Sequence, residues 1–335
     1  MNNFKNNPVP PNAEAFWVDF TEKRRINKTA WAVTLPGVVF SVVTVFLSVI
    51  IIFVGTKMGY SLTQISEFVS NPAVSELLGI VLSIFFMTVP FIIFCKIVHF
   101  NISASGGFNR PKKKTAAPYL MFGIGFCAFA NVAVAVAEDW FKDIGIDYSL
   151  PQSKQPEGVF GFLLALISTA IIPALVEEFA FRGIVIGVLR PFGDAFAIIA
   201  TSAIFGLLHG NFEQMPFAFL VGMVLGLIRI KTDSIIICMI VHGANNLIAV
   251  LLSYVEGIPT PIRSLIYTLY LITVLVLAVT GTMLLKNRGE FSLSPPERKI
   301  SAKKTYVYFF FSPAMILLTL ISLFRALSFV FKYVI

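Results

Sequence analysis

The sequence predicts an all-α polytopic membrane protein of about eight to nine transmembrane helices, with a four-helix core in its second half. Three observations predict it. The 335 residues are 57% hydrophobic and only 13% charged, with a mean hydropathy of +0.83, where a soluble globular chain carries about 25% charged residues. One soluble core cannot bury that much apolar surface, and a chain with 34 Phe is not disordered. Uncharged stretches recur at the length of about 20 residues needed to cross a hydrocarbon layer of about 30 Å. The basic residues, finally, gather in alternate connecting segments.

Taken in order, the first 32 residues are polar and contain prolines. They lack the apolar run and small-residue cleavage site of a removable signal, so they read as a cytoplasmic segment (1–32) ahead of an uncleaved anchor. Apolar stretches follow at 33–54, 77–95, 118–137, 159–189, 192–209, 214–228, 234–255, 264–285 and 306–324. They divide the chain into N-terminal membrane helices and loops (33–157), a core (158–256) and C-terminal membrane helices (257–335). The fourth stretch carries charges in its interior. Its plainer reading is a helix that ends at Val176, followed by a short interfacial helix. Residues 288–305 read as a linker.

With the N-terminus in the cytoplasm, 20 of the 26 basic residues fall on the inner side, among them Lys5, Arg24, Lys112, Arg190, Arg229 and Arg298. Lys57, Lys142, Lys154, Arg263, Arg325 and Lys332 fall outside, and the loop 138–157 is acidic on balance. The net charge of +8 is thus a positive-inside topology signal, and a nucleic-acid partner is not expected. The expected location is the plasma membrane. Cys95, Cys127 and Cys238 lie in separate apolar stretches without CxxC spacing, and read as small hydrophobic residues.

Ionisable groups inside spans are costly, which makes them functional candidates. Here they cluster. The fourth stretch holds Glu177-Glu178-Phe179-Ala180-Phe181-Arg182, the fifth ends at Phe205 to His209, and the seventh carries His242 to Asn246. The remaining histidine, His99, sits at a span end and reads as interfacial. Glu178 and Arg182 are spaced i,i+4 with the acid first, the favourable order for an ion pair. Glu177 is turned about 100° away and is free to point elsewhere. His242 and Asn246 share a face by the same spacing, beside Gly243 and Ala244, which let another helix approach. Pro173 removes a backbone hydrogen bond at Thr169, and a kink there would open a polar pocket. In a hairpin turning at 191–194, Glu177 and His209 each lie about 24 Å from the turn and share a level. His242 and Asn246, about 12 to 18 Å in, match less closely. Phe205 reads as a pocket wall. Gly222 and Gly226 read as packing positions.

Glu177-Glu178-x-x-x-Arg182, Phe205-x-x-x-His209 and His242-x-x-x-Asn246 occur in order, one motif per helix and about 30 residues apart. This set resembles the signature of the CPBP (Abi, CAAX-protease-like) intramembrane endopeptidases, relatives of the CAAX prenyl protease. The resemblance covers about 158–255. It implies that Glu177 and His209 hold and activate a water, that His242 and Asn246 stabilise the oxyanion, and that Glu178 and Arg182 support their helix. Such chemistry needs a base for water and preorganised donors where negative charge develops.

Glu177, His209 and His242 would also supply three ligands to a catalytic Zn2+. The absence of an HExxH favours a metal-free mechanism. The expected partners are membrane lipid and a membrane-associated peptide or protein, with prenylated and precursor proteins among the candidates. Two alternatives remain beside this reading: a proton- or ion-coupled transporter, and a bacteriocin-immunity type protein of the same fold. The transporter lacks the internal symmetry and paired broken helices it would call for.

Overall fold

Long helices account for nearly every apolar stretch in a computed structural model, which describes residues 11–333 apart from 98, 112, 150–154 and 296–298. Lys5, Lys112, Lys154 and Arg298 of the charge tally, with the first ten residues of the 1–32 segment, lie outside the described residues. In chain order the helices are α1 (Pro11–Lys57), α2 (Leu62–Ser70), α3 (Pro72–Ile97), α4 (Lys113–Asp143), α5 (Gly158–Phe192), α6 (Asp194–His209), α7 (Gln214–Thr232), α8 (Ile235–Val255), α9 (Thr260–Asn287), α10 (Ala302–Phe310) and α11 (Pro313–Tyr333). Among the described residues the only β-pairing is an isolated bridge between Phe108 and Ser234. The protein is an all-α, multi-pass integral membrane protein.

Seven of these helices are long and apolar enough to cross a membrane, or eight if the pair α10 and α11, bent by 53° at Pro313, forms one span. The fifth predicted span is the difference. It is α6, with 16 residues, about 24 Å long and short of a full crossing on its own. Composition could not show this, because the stretch is as free of charges in its interior as the span that follows it. The surface inverts the soluble pattern: Leu265, Leu269, Ile272, Leu275, Val276 and Met283 of α9 are all exposed, as expected of a face that meets lipid.

The predicted N-terminal segment is also more ordered than its polarity implies. Helix begins at Pro11 and runs 47 residues, about 70 Å at 1.5 Å per residue, so its first half extends beyond a 30 Å layer. Asp19 holds this half against α10 by accepting from Lys304 Nζ at 2.9 Å and Tyr308 Oη at 2.8 Å.

The fourth predicted span is one continuous helix, α5, so the reading in which it ends at Val176 is overturned. Two π-helical turns, Leu166–Ile171 and Phe179–Val185, interrupt its α-geometry on either side of the glutamates. Such turns shift the register of the side chains that follow them. The hairpin turn is where the sequence places it: a 3-10 turn at Arg190–Phe192, then Gly193 at φ 117°, then the first residue of α6. Small residues set the packing. A Cβ on Gly222 would lie 2.9 Å from Ser202 Cβ, and one on Gly226 would lie 3.1 Å from Ile198. The paired glycines of α7 therefore receive α6, as their spacing predicts.

Asn71 is new beside the two readings made above. Asn71 caps α3 through Ala73 and Val74, His99 is exposed in a loop, and the three cysteines are buried and unpaired.

Candidate active site

The two glutamates of α5 point apart. Glu178 is fully buried, and its Oε1 accepts from Arg182 Nη1 at 2.8 Å and His242 Nδ1 at 2.8 Å. Arg182, equally buried, also donates from Nη2 to the Gly222 carbonyl at 3.4 Å and stacks 4.7 Å over the Phe205 ring. The i,i+4 pair read from the sequence thus joins α5, α6, α7 and α8 at one point. Because the Glu178 carboxylate can only accept, His242 must carry its proton on Nδ1. Its Nε2 then faces Glu177 Oε2 at 3.9 Å.

Glu177 opens into a cavity of about 210 Å3 that it lines with His209, Phe205, Gln214 and Arg325. His209, the last residue of α6, gives Nδ1–H to the Phe205 carbonyl at 2.8 Å, which leaves Nε2 unengaged by that bond. Phe205 is the wall between the parts: its ring meets that of His209 edge-on at 4.9 Å and that of His242 at 6.3 Å. Glu177 and His209 therefore face one cavity, as the equal chain lengths about the turn lead one to expect. His242 also reaches Glu177, although its depth in the membrane matched less closely.

Asn246 is held elsewhere. Its Nδ2 donates at 2.9 Å to the Thr169 carbonyl, the group that Pro173 deprives of its helical partner. The expected kink is a π-turn whose freed carbonyl is satisfied from α8. Asn246 is one end of a polar chain: Asn131 Nδ2 donates to Asn245 Oδ1 at 3.0 Å, and Asn245 Nδ2 donates to Asn246 Oδ1 at 3.1 Å. This fixes the orientation of the Asn246 amide while leaving a second N–H on Nδ2.

Four contributors escape the sequence reading. Asn131 and Asn245 look like ordinary polar residues of a span. Gln214 is set at the mouth of α7 by Asn211, whose Oδ1 accepts from the Gln214 backbone at 2.7 Å and whose Nδ2 donates to Gln214 Oε1 at 3.0 Å. Arg325, counted among outer charges, lies well inside α11; a lone cation between Phe324 and Ala326 is the signal that would have found it. A further charge from the topology tally, Arg229, is buried, and donates to the carbonyls of Arg182 and Ser105 at 3.0 Å each and to Asp233 at 2.6 Å.

Both imidazoles direct Nδ1 toward a fixed acceptor and Nε2 away from it, as metal-binding histidines do. Among the described residues, however, no group of three or more His, Cys, Asp and Glu side chains stands close enough to hold a metal ion. No step below runs through a metal.

The family model of type II CAAX prenyl endopeptidase, Rce1-like, matches residues 159–248, a segment that contains all three motifs and ends before the C-terminal helices. The resemblance read from the motifs thus agrees with this model over the segment that carries them. No curated protein and no solved structure matches the chain.

Proposed function

We propose that the protein hydrolyses a peptide bond in a membrane-associated protein or peptide, using a water activated by Glu177 and His209. The observation that carries this reading is the division of labour between adjacent glutamates. Glu178 is consumed by Arg182 and His242, whereas Glu177 faces the cavity with His209. Glu177 takes a proton from water as the oxygen adds to the scissile carbonyl carbon, and returns it to the departing amine nitrogen. His209 Nε2 orients that water. The oxyanion meets the Nε2 face of His242, which lies 3.9 Å from Glu177 and donates there when the ring is protonated; Asn246 keeps its bond to the Thr169 carbonyl and turns its second N–H to the same oxyanion.

Purified protein reconstituted in liposomes should cleave lipid-anchored peptides and precursor segments. Pretreatment with a Zn2+ chelator should leave the rate within about twofold, since the proposed chemistry needs no Lewis acid. Loss of activity that Zn2+ restores would replace this mechanism with the metal-dependent one. Ion-gradient-driven uptake without cleavage would favour the transporter instead.

The proposal includes a plasma-membrane protein with a cytoplasmic N-terminus, which puts the turn after α5 inside and the cavity nearer the outer face. A cysteine introduced at Arg190, which is exposed, should react with an impermeant maleimide only in inside-out vesicles. Labelling of intact cells would invert the topology.

A further inference from the structure

Arg325 stands apart from the other core arginines. Arg182, Arg190 and Arg229 each have a carboxylate oxygen at 3.1 Å or closer. Arg325 has no carboxylate within 4.0 Å among the described residues. Its Nη1 donates to the Leu208 carbonyl at 3.2 Å and Ser41 Oγ at 3.4 Å, both neutral acceptors. The guanidinium lies over the left-handed turn that ends α6, where a Cβ on Gly210 (φ 63°) would approach its Cζ to 2.7 Å. It therefore reaches the cavity at the residue after His209, and lines it together with Glu177.

A cation held within an apolar helix, short of a counter-charge and facing a cavity is costly unless something anionic completes it. The guanidinium fork is built to take a carboxylate with two parallel bonds, and the bonds above engage only Nη1. The cavity of about 210 Å3 is smaller than the roughly 300–1,000 Å3 of a small-molecule site. Glu177 shares the cavity but makes no ion pair with Arg325 within 4.0 Å, so the guanidinium is left to meet an anionic group of the substrate close to the bond that Glu177 faces.

We propose that Arg325 is a specificity-determining residue, which pairs with a substrate carboxylate within a residue or two of the scissile bond. The inference rests on the protease reading above. It extends the site to α11, outside the segment that the family model matches. Two kinds of carboxylate have this chemistry, the free C-terminus of a short peptide and an Asp or Glu side chain.

Full-length protein in liposomes is assayed on matched peptides: free C-terminal acid against C-terminal amide, and internal Glu against Gln beside the cleaved bond. In one of the two pairs, the acid should exceed its neutral counterpart at least about tenfold in kcat/KM, mainly through KM, the scale of one charge-assisted hydrogen bond. Which pair responds names the source of the carboxylate. In Arg325→Gln that ratio should fall close to one, and in Arg325→Lys it should partly recover. If Arg325→Gln fails to fold, inhibition of the unmutated protein decides: the product acid should inhibit about tenfold more strongly than its amide. Equal cleavage of acid and neutral peptides, or a ratio unchanged in Arg325→Gln, overturns the inference and leaves the protease reading standing. No cleavage of any peptide overturns both.

Discussion

Glu177→Gln should retain the fold and lose peptide hydrolysis by a factor of about 10^2 to 10^4, the range attributed to a positioned general base. The substitution is nearly isosteric and the side chain borders a cavity, so packing changes little. What disappears is the only carboxylate in the cavity lining among the described residues, because Glu178 is buried and already accepts two charge-assisted bonds. His209→Ala should fall into the same range, since the proposed mechanism has it share the water with Glu177. The double variant should be little worse than either single one, as for groups that act as a unit. The measurement is kcat in liposomes, alongside thermal unfolding to show equal stability. Unchanged kcat in Glu177→Gln would transfer the base role to another group.

The second large effect concerns Glu178 and Arg182, and sets stability against activity. Glu178→Ala leaves the guanidinium of Arg182 buried with no carboxylate, which should cost about 3–5 kcal/mol of stability. It also removes the acceptor that fixes the proton of His242 on Nδ1. The pair itself is imperfect: Glu178 Oε2 and Arg182 Nε have no hydrogen-bond partner. Replacing both residues with Met should therefore recover most of the lost stability, because a buried pair exchanged for apolar side chains is often neutral. Activity should not return, since His242 is still unheld. Thermal unfolding and peptide cleavage of the two variants check this. Recovery of full activity in the double Met variant would show that Glu178 serves only the fold.

Features set by local spacing were legible in the sequence. Glu178 with Arg182 is one turn of a helix, and the shared level of Glu177 and His209 follows from equal chain lengths about the turn at Gly193. The freed carbonyl of Thr169 followed from Pro173. What escaped depends on contacts between distant segments. Asn131 meets Asn245 across 114 residues and Arg325 meets Leu208 across 117, and no periodicity encodes either pairing. The extent of α1 was hidden for a related reason: its polar first half is held by α10 through Asp19. The shortness of α6 comes from its start: the turn through Gly193 delays the helix to Asp194, while its end at His209 is where the sequence puts it.

The central claim, that a cavity holding Glu177 and His209 hydrolyses peptide bonds in a membrane, is tested most directly on the proteins of the membrane itself. Protein N-termini are compared between cells that carry the unmutated protein and cells that carry Glu177→Gln at equal abundance. A set of new N-termini present only with the unmutated protein, mapping to membrane-associated chains, is the predicted result. Identical sets of N-termini in the two would contradict it.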